Sequence, residues 1–162
     1  MERRTLRWTV VGGLVLAGAI AAGCAAPRAS GTAQAAGTSP PRVTAPLSQA
    51  NEGGNVTVKV TWANPGATGE GPRFEVELDT HSVNLDEYRL EDLAVLRAGG
   101  REVKPESWSE SGGGGHHRGG ILRFPARVDG APVLRPGIGT VELVIRDIAG
   151  VPERVFKWEV RP

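Results

Sequence analysis

Strict two-residue alternation of apolar and polar side chains constrains this chain more than any other feature. In "NVTVKVTW" (55–62), Val56, Val58, Val60 and Trp62 fall on one face and Thr57, Lys59 and Thr61 on the other. In "RFEVELDTH" (73–81), Phe74, Val76 and Leu78 alternate with Glu75, Glu77 and Asp79. "GTVELVIRDI" (139–148) sets Val141, Leu143 and Ile145 on one face, and "RVFKWEV" (154–160) does the same with Phe156, Trp158 and Val160. This is the period of a strand that buries one face and wets the other, as antiparallel sheets do.

Glycine and proline punctuate these runs. "NPG" (64–66) and the following "GATGEGP" form a turn, and "LAVLRAGGREV" (93–103) reads as a hairpin about Ala98, Gly99 and Gly100. "GILRFP" (120–125) is a short strand stopped by Pro125. One segment has another period. In "NLDEYRLEDLAVL" (84–96), Asn84 stands as an N-cap with Glu87 three residues on, and Leu90, Leu93 and Leu96 follow at helical spacing. It predicts at most a short helix or turn over 85–92, running into a strand near Leu93. About seven short strands without a long helix predict an all-β fold, an antiparallel immunoglobulin-like β-sandwich over residues 51–162. The Cys–Trp–Cys hallmark of antibody domains is missing from this chain.

The first fifty residues have a different character. Arg3, Arg4 and Arg7 precede the apolar run "WTVVGGLVLAGAIAAG", which is shorter than the ~20 residues of a spanning helix. A basic start, a short apolar stretch and small residues before a cut site make a secretory signal. The run ends in "IAAGC" (20–24), which resembles the lipobox of bacterial lipoproteins. The resemblance implies cleavage between Gly23 and Cys24 and a diacylglyceryl group on the Cys24 sulfur, often with an N-acyl chain beside it. Residues 1–23 are then signal peptide, and the expected location is extracytoplasmic, lipid-anchored to the cell membrane or an outer membrane. Several acyl chains anchor stably where one does so only marginally. Cys24 is the only cysteine, so no disulfide within the chain supports the fold.

Residues 24–50 are rich in Ala, Pro, Ser, Thr and Gly and contain no aromatic residue. Such a composition buries too little apolar surface to offset ordering, and predicts a disordered, lipid-anchored linker. As a flexible coil it spans about 25–30 Å; fully extended it reaches roughly 90 Å.

Charge removes some functions. The chain has 19 Lys and Arg against 18 Asp and Glu; without Arg3, Arg4, Arg7 and Glu2 of the signal these become 16 and 17. With signs interspersed, no clustered basic face for nucleic acid exists, nor a polybasic patch for anionic lipid.

Enzyme signatures are equally missing: no G-x-S-x-G, no P-loop and no H-E-x-x-H occur. Ser107, Ser109 and Ser111 lie near His116, but a glycine loop does not lock a nucleophile to a base. The expectation is a non-enzymatic protein. All three histidines fall in two places, His81 at the end of one strand and His116 with His117 in "SGGGGHHRGG" (111–120). Asp79 and His81 share a face at i, i+2 spacing. Three imidazoles and a carboxylate suit zinc or copper(II), if the glycine loop folds back so that His116 or His117 meets His81. The alternative is a plain turn whose imidazoles bond backbone carbonyls. Trp108 is expected to pack beneath the loop. Two functions stay open: a non-catalytic binding module whose partner is an envelope protein, and a metal-binding lipoprotein using Asp79, His81, His116 and His117.

Overall fold

A computed structural model describes residues 42–67 and 69–161. They form an all-β, antiparallel, sandwich-like structure of two five-stranded sheets and one small ribbon. The first sheet contains β1 (Arg42–Val43), β5 (Ala94–Ala98), β6 (Arg101–Val103), β11 (Gly139–Ile148) and β12 (Val151–Arg161), in the order β1-β12-β11-β5-β6. The second contains β2 (Ser48–Gly53), β3 (Val56–Trp62), β4 (Arg73–Thr80), β7 (Ser107–Gly114) and β8 (His117–Arg123), in the order β2-β3-β4-β8-β7. The ribbon pairs β9 (Arg127–Val128) with β10 (Ala131–Pro132).

The alternation determines which faces meet. Val56, Val58, Val60, Trp62, Phe74, Val76 and Leu78 from the second sheet share one core with Leu96, Val141, Leu143, Ile145, Phe156, Trp158 and Val160 from the first. The Trp62 and Trp158 rings meet edge-on between the sheets, their centroids 5.6 Å apart. The hairpin expected about Gly99 and Gly100 joins β5 to β6.

Two expectations change. Order begins before residue 51, because β1 pairs with the end of β12 and β2 pairs along the whole of β3. These residues are polar and poor in apolar side chains, so their strand form comes from edges that need covering, not from their own pattern. The rest of the expected linker, the signal peptide and Cys24 lie outside the described residues.

The short helix or turn expected over 85–92, running into a strand near Leu93, is present as a turn followed by a single helical turn, with β5 starting at Ala94. α1 covers only Leu90–Leu93. Asn84 Oδ1 accepts the Asp86 N–H at 3.2 Å, an Asx turn and not a cap on Glu87. Both Leu85 and Leu90 are fully buried, so the chain must bend to point both inward.

The second change concerns the glycine segment, most of which is strand. Residues 111–114 belong to β7 and 117–120 to β8, with only Gly115 and His116 between them.

Candidate functional site

The β7–β8 hairpin requires its glycines. Gly113 has φ +95°, and a Cβ there would stand 2.2 Å from the His117 carbonyl oxygen. At Gly120 a Cβ would meet the Trp108 ring at 2.6 Å, so Trp108 lies across that glycine, partly buried against the core. The tip is fastened from two directions. The Thr80 N–H donates to the His116 carbonyl at 3.0 Å, and Leu85 N–H to the Gly115 carbonyl at 2.8 Å. In return the Gly115 N–H donates to Asp86 Oδ1 at 2.8 Å. The segment is a clasped turn, not a free loop.

Of the four expected metal ligands, two are brought into contact. Asp79 and His117 are directly opposite on β4 and β8, and Nδ1 lies 2.6 Å from Oδ1. The Nδ1–H donates to the carboxylate, which leaves Nε2 as the imidazole's remaining nitrogen. His81 sits beyond the end of β4 and lines a shallow depression with Glu52, Thr57 and Ser82. His116 is exposed in the turn. Its backbone adjoins the end of β4 as expected, yet the side chains do not converge: among the described residues no three His, Cys, Asp or Glu are placed to hold a metal ion. Asp79, His81, His116 and His117 therefore do not assemble the zinc or copper(II) centre expected of them. The cross-strand register pairs His117 with Asp79, and His81 follows the last residue of β4.

Two arginines close this end of the sandwich, and both occupy inward positions. Arg118 lies in register with Leu78 on the core side. Its Nη1 donates to the carbonyls of Leu85, at 2.9 Å, and Tyr88, while Nε donates to Glu110. The guanidinium also stacks 5.9 Å from the centroid of Trp108. Arg118 and then the Trp108 indole N–H hold the Glu110 carboxyl below its ordinary range. Arg154, fully buried, precedes Phe156, Trp158 and Val160 in the inward column. Its Nη1 donates to the Ile148 carbonyl at 2.9 Å and its Nη2 to that of Gly53 at 2.6 Å, with desolvation lowering its pKa. The sequence signal was available for both: an arginine at the head of an inward column.

The opposite end is open. There Trp62, Leu134, Arg135, Pro136, Ile138 and Val160 line a largely apolar cleft of about 180 Å³. Three segments build it: the end of β3 with Pro65, Ala67 and Gly69 of the loop that follows, the end of β12, and residues 134–138. The turn 135–138 closes through the Ile138 N–H and the Arg135 carbonyl at 3.2 Å, with Pro136 and then Gly137 (φ +74°) at its centre, the pattern of a type II turn. Val160, on the cleft wall, pairs with Val43, so the chain joins the fold beside the cleft. Trp62 is 1% exposed, and among the described residues its Nε1–H has no acceptor. Arg135 is exposed, and no carboxylate among the described residues forms an ion pair with it. Nothing in the sequence pattern joins residues 62, 135 and 160.

Comparison of the chain with protein families, curated proteins and solved structures finds no match.

Proposed function

We propose that this chain is a bacterial lipoprotein whose β-sandwich is a non-catalytic binding module, held outside the cytoplasm by lipid on Cys24. The apolar cleft carries this reading. A concave, mostly apolar site with a few polar groups at its margin is the usual form of a ligand site. Here it stands beside the point where the tether joins, while the arginine-closed, histidine-bearing end points away. The partner class is a ligand or envelope component that offers an apolar group; the membrane is engaged through the anchor.

The sandwich reads as immunoglobulin-like. Supporting this, the chain crosses between its two sheets from β4 to β5, from β6 to β7 and from β8 toward β11, and so does not run as a simple meander.

Native mass spectrometry of the full chain released from its own membrane tests the binding role. Wild-type chain should carry a small-molecule mass that the cleft-filling variant Ile138→Trp loses. Identical spectra from the two would contradict the reading.

A further inference from the structure

We propose that the cleft takes a small amphiphilic carboxylate, with a benzene-sized ring or a short alkyl segment inside and the carboxylate at Arg135. This rests on the cleft being the binding site and adds the chemistry of its ligand.

Size limits the apolar part. Cavities of about 150 Å³ lined by apolar side chains hold a benzene ring, and this cleft is about 180 Å³. Trp62, Leu134, Ile138 and Val160 supply the apolar wall, with Pro65 and Pro136 beside them.

The charge selects the polar part. Arg97 and Arg146 bind Glu102 and Glu153, Arg101 binds Asp129, and Arg118 binds Glu110, whereas Arg42, Arg123, Arg127, Arg154 and Arg161 form no ion pair among the described residues. Arg135 has no such partner among the described residues. It lies on the cleft margin as the first residue of the Pro136–Gly137 turn, with its guanidinium beside Gly99 of the β5–β6 hairpin. A guanidinium in that position favours a planar anion through paired N–H donors. It gives a neutral ligand less, and it repels a cation. Trp62, whose buried indole N–H has no acceptor among the described residues, is one of the lining residues.

Three isosteric probes separate these contributions: phenylacetate, phenylacetamide and phenethylamine. They are titrated calorimetrically into the full chain held in lipid nanodiscs, with empty discs as control. Phenylacetate should bind roughly tenfold tighter than phenylacetamide, and phenethylamine most weakly. In Arg135→Gln, an exposed and structurally mild change, the first two should become equal. Ile138→Trp should remove both.

Equal affinities for phenylacetate and phenylacetamide in the wild type overturn the carboxylate inference but leave the cleft as a binding site. An Arg135→Gln variant that keeps the preference overturns it as well. No binding by any probe overturns both the inference and the binding-module reading.

Discussion

The side-chain amide of Gln49 pairs with both main-chain polar groups of Lys157. Nε2 donates to the Lys157 carbonyl at 2.8 Å, and Oε1 accepts the Lys157 N–H at 3.2 Å. Gln49 lies on β2, the edge of one sheet, and Lys157 on β12 of the other. One amide thus does for β12 what a neighbouring strand does elsewhere, just past the point where the short β1 stops covering it. Gln49→Ala should lower stability by about 0.5–1.5 kcal/mol, the usual net value of such bonds where water can partly replace them. Gln49→Glu should not recover the loss, since a carboxylate cannot donate to the Lys157 carbonyl. Urea unfolding of the two variants checks this.

A closed ring of charge covers the outer face of the first sheet. Arg97 reaches Glu102 at 2.8 Å and Glu153 at 3.1 Å, and Arg146 reaches the same two carboxylates at 3.0 and 3.1 Å. Arg97 and Arg146 stand on either side of the row Val95–Val144–Val155. Their crossing side chains explain why Val144 is 0% exposed on an outward face while Val155 is 43% exposed. The arginines hold both carboxyls below their ordinary range. A depressed folded-state pKa adds stability above the unfolded value, about 4.3 for Glu, and that stability disappears as pH falls through the folded value. Melting temperature should therefore fall less steeply between pH 5 and pH 3 in a Glu102→Gln/Glu153→Gln variant than in the wild type. Added salt should also weaken the ring, because its members are exposed.

Gly113→Ala should destabilise the domain by about 1–3 kcal/mol, the cost of forcing a side chain into sparsely populated backbone space. The Cβ would also collide with the His117 carbonyl. Amide exchange at Gly115 and Leu85, whose bonds fasten the tip, should speed up first. Unchanged protection there would show that the clasp does not depend on the hairpin.

Arg154→Ala should cost about 2–4 kcal/mol, since it leaves a cavity and strips two buried-end carbonyls of their donor. Thermal and urea unfolding measure it.

Anchoring is tested in cells. Cys24→Ser should move the chain out of the membrane fraction and change its gel mobility. Retention in the membrane with unaltered mobility would count against lipid on Cys24.

What the sequence makes legible follows from what each strand relies on. β3, β4, β11 and β12 depend on their own buried faces, and the alternation displays them. β2 and β7 do not. "SQANEG" and "SWSESGGG" hold too few apolar residues to show a period, and they are strands because β3 and β8 present open edges to them. The pairing of Asp79 with His117 depends on strand register, which composition does not encode, so a four-residue metal centre was as natural an expectation as an ion pair. The cleft is less legible still, because its walls come from three segments that only the folded chain brings together. Arg118 and Arg154 are the opposite case: each heads an inward column in plain view.

The indole N–H resonances of the folded domain report on the cleft itself. Trp108 donates to Glu110 and Trp158 to the Pro46 carbonyl, whereas the Trp62 N–H has no acceptor among the described residues. When phenylacetate is titrated into the isotope-labelled full chain, the Trp62 indole resonance should shift progressively and saturate. Those of Trp108 and Trp158 should move little, and Ile138→Trp should abolish the Trp62 shift. A Trp62 resonance that stays in place at saturating probe, or three indoles that drift together without saturating, would contradict a ligand-binding cleft at this end of the sandwich.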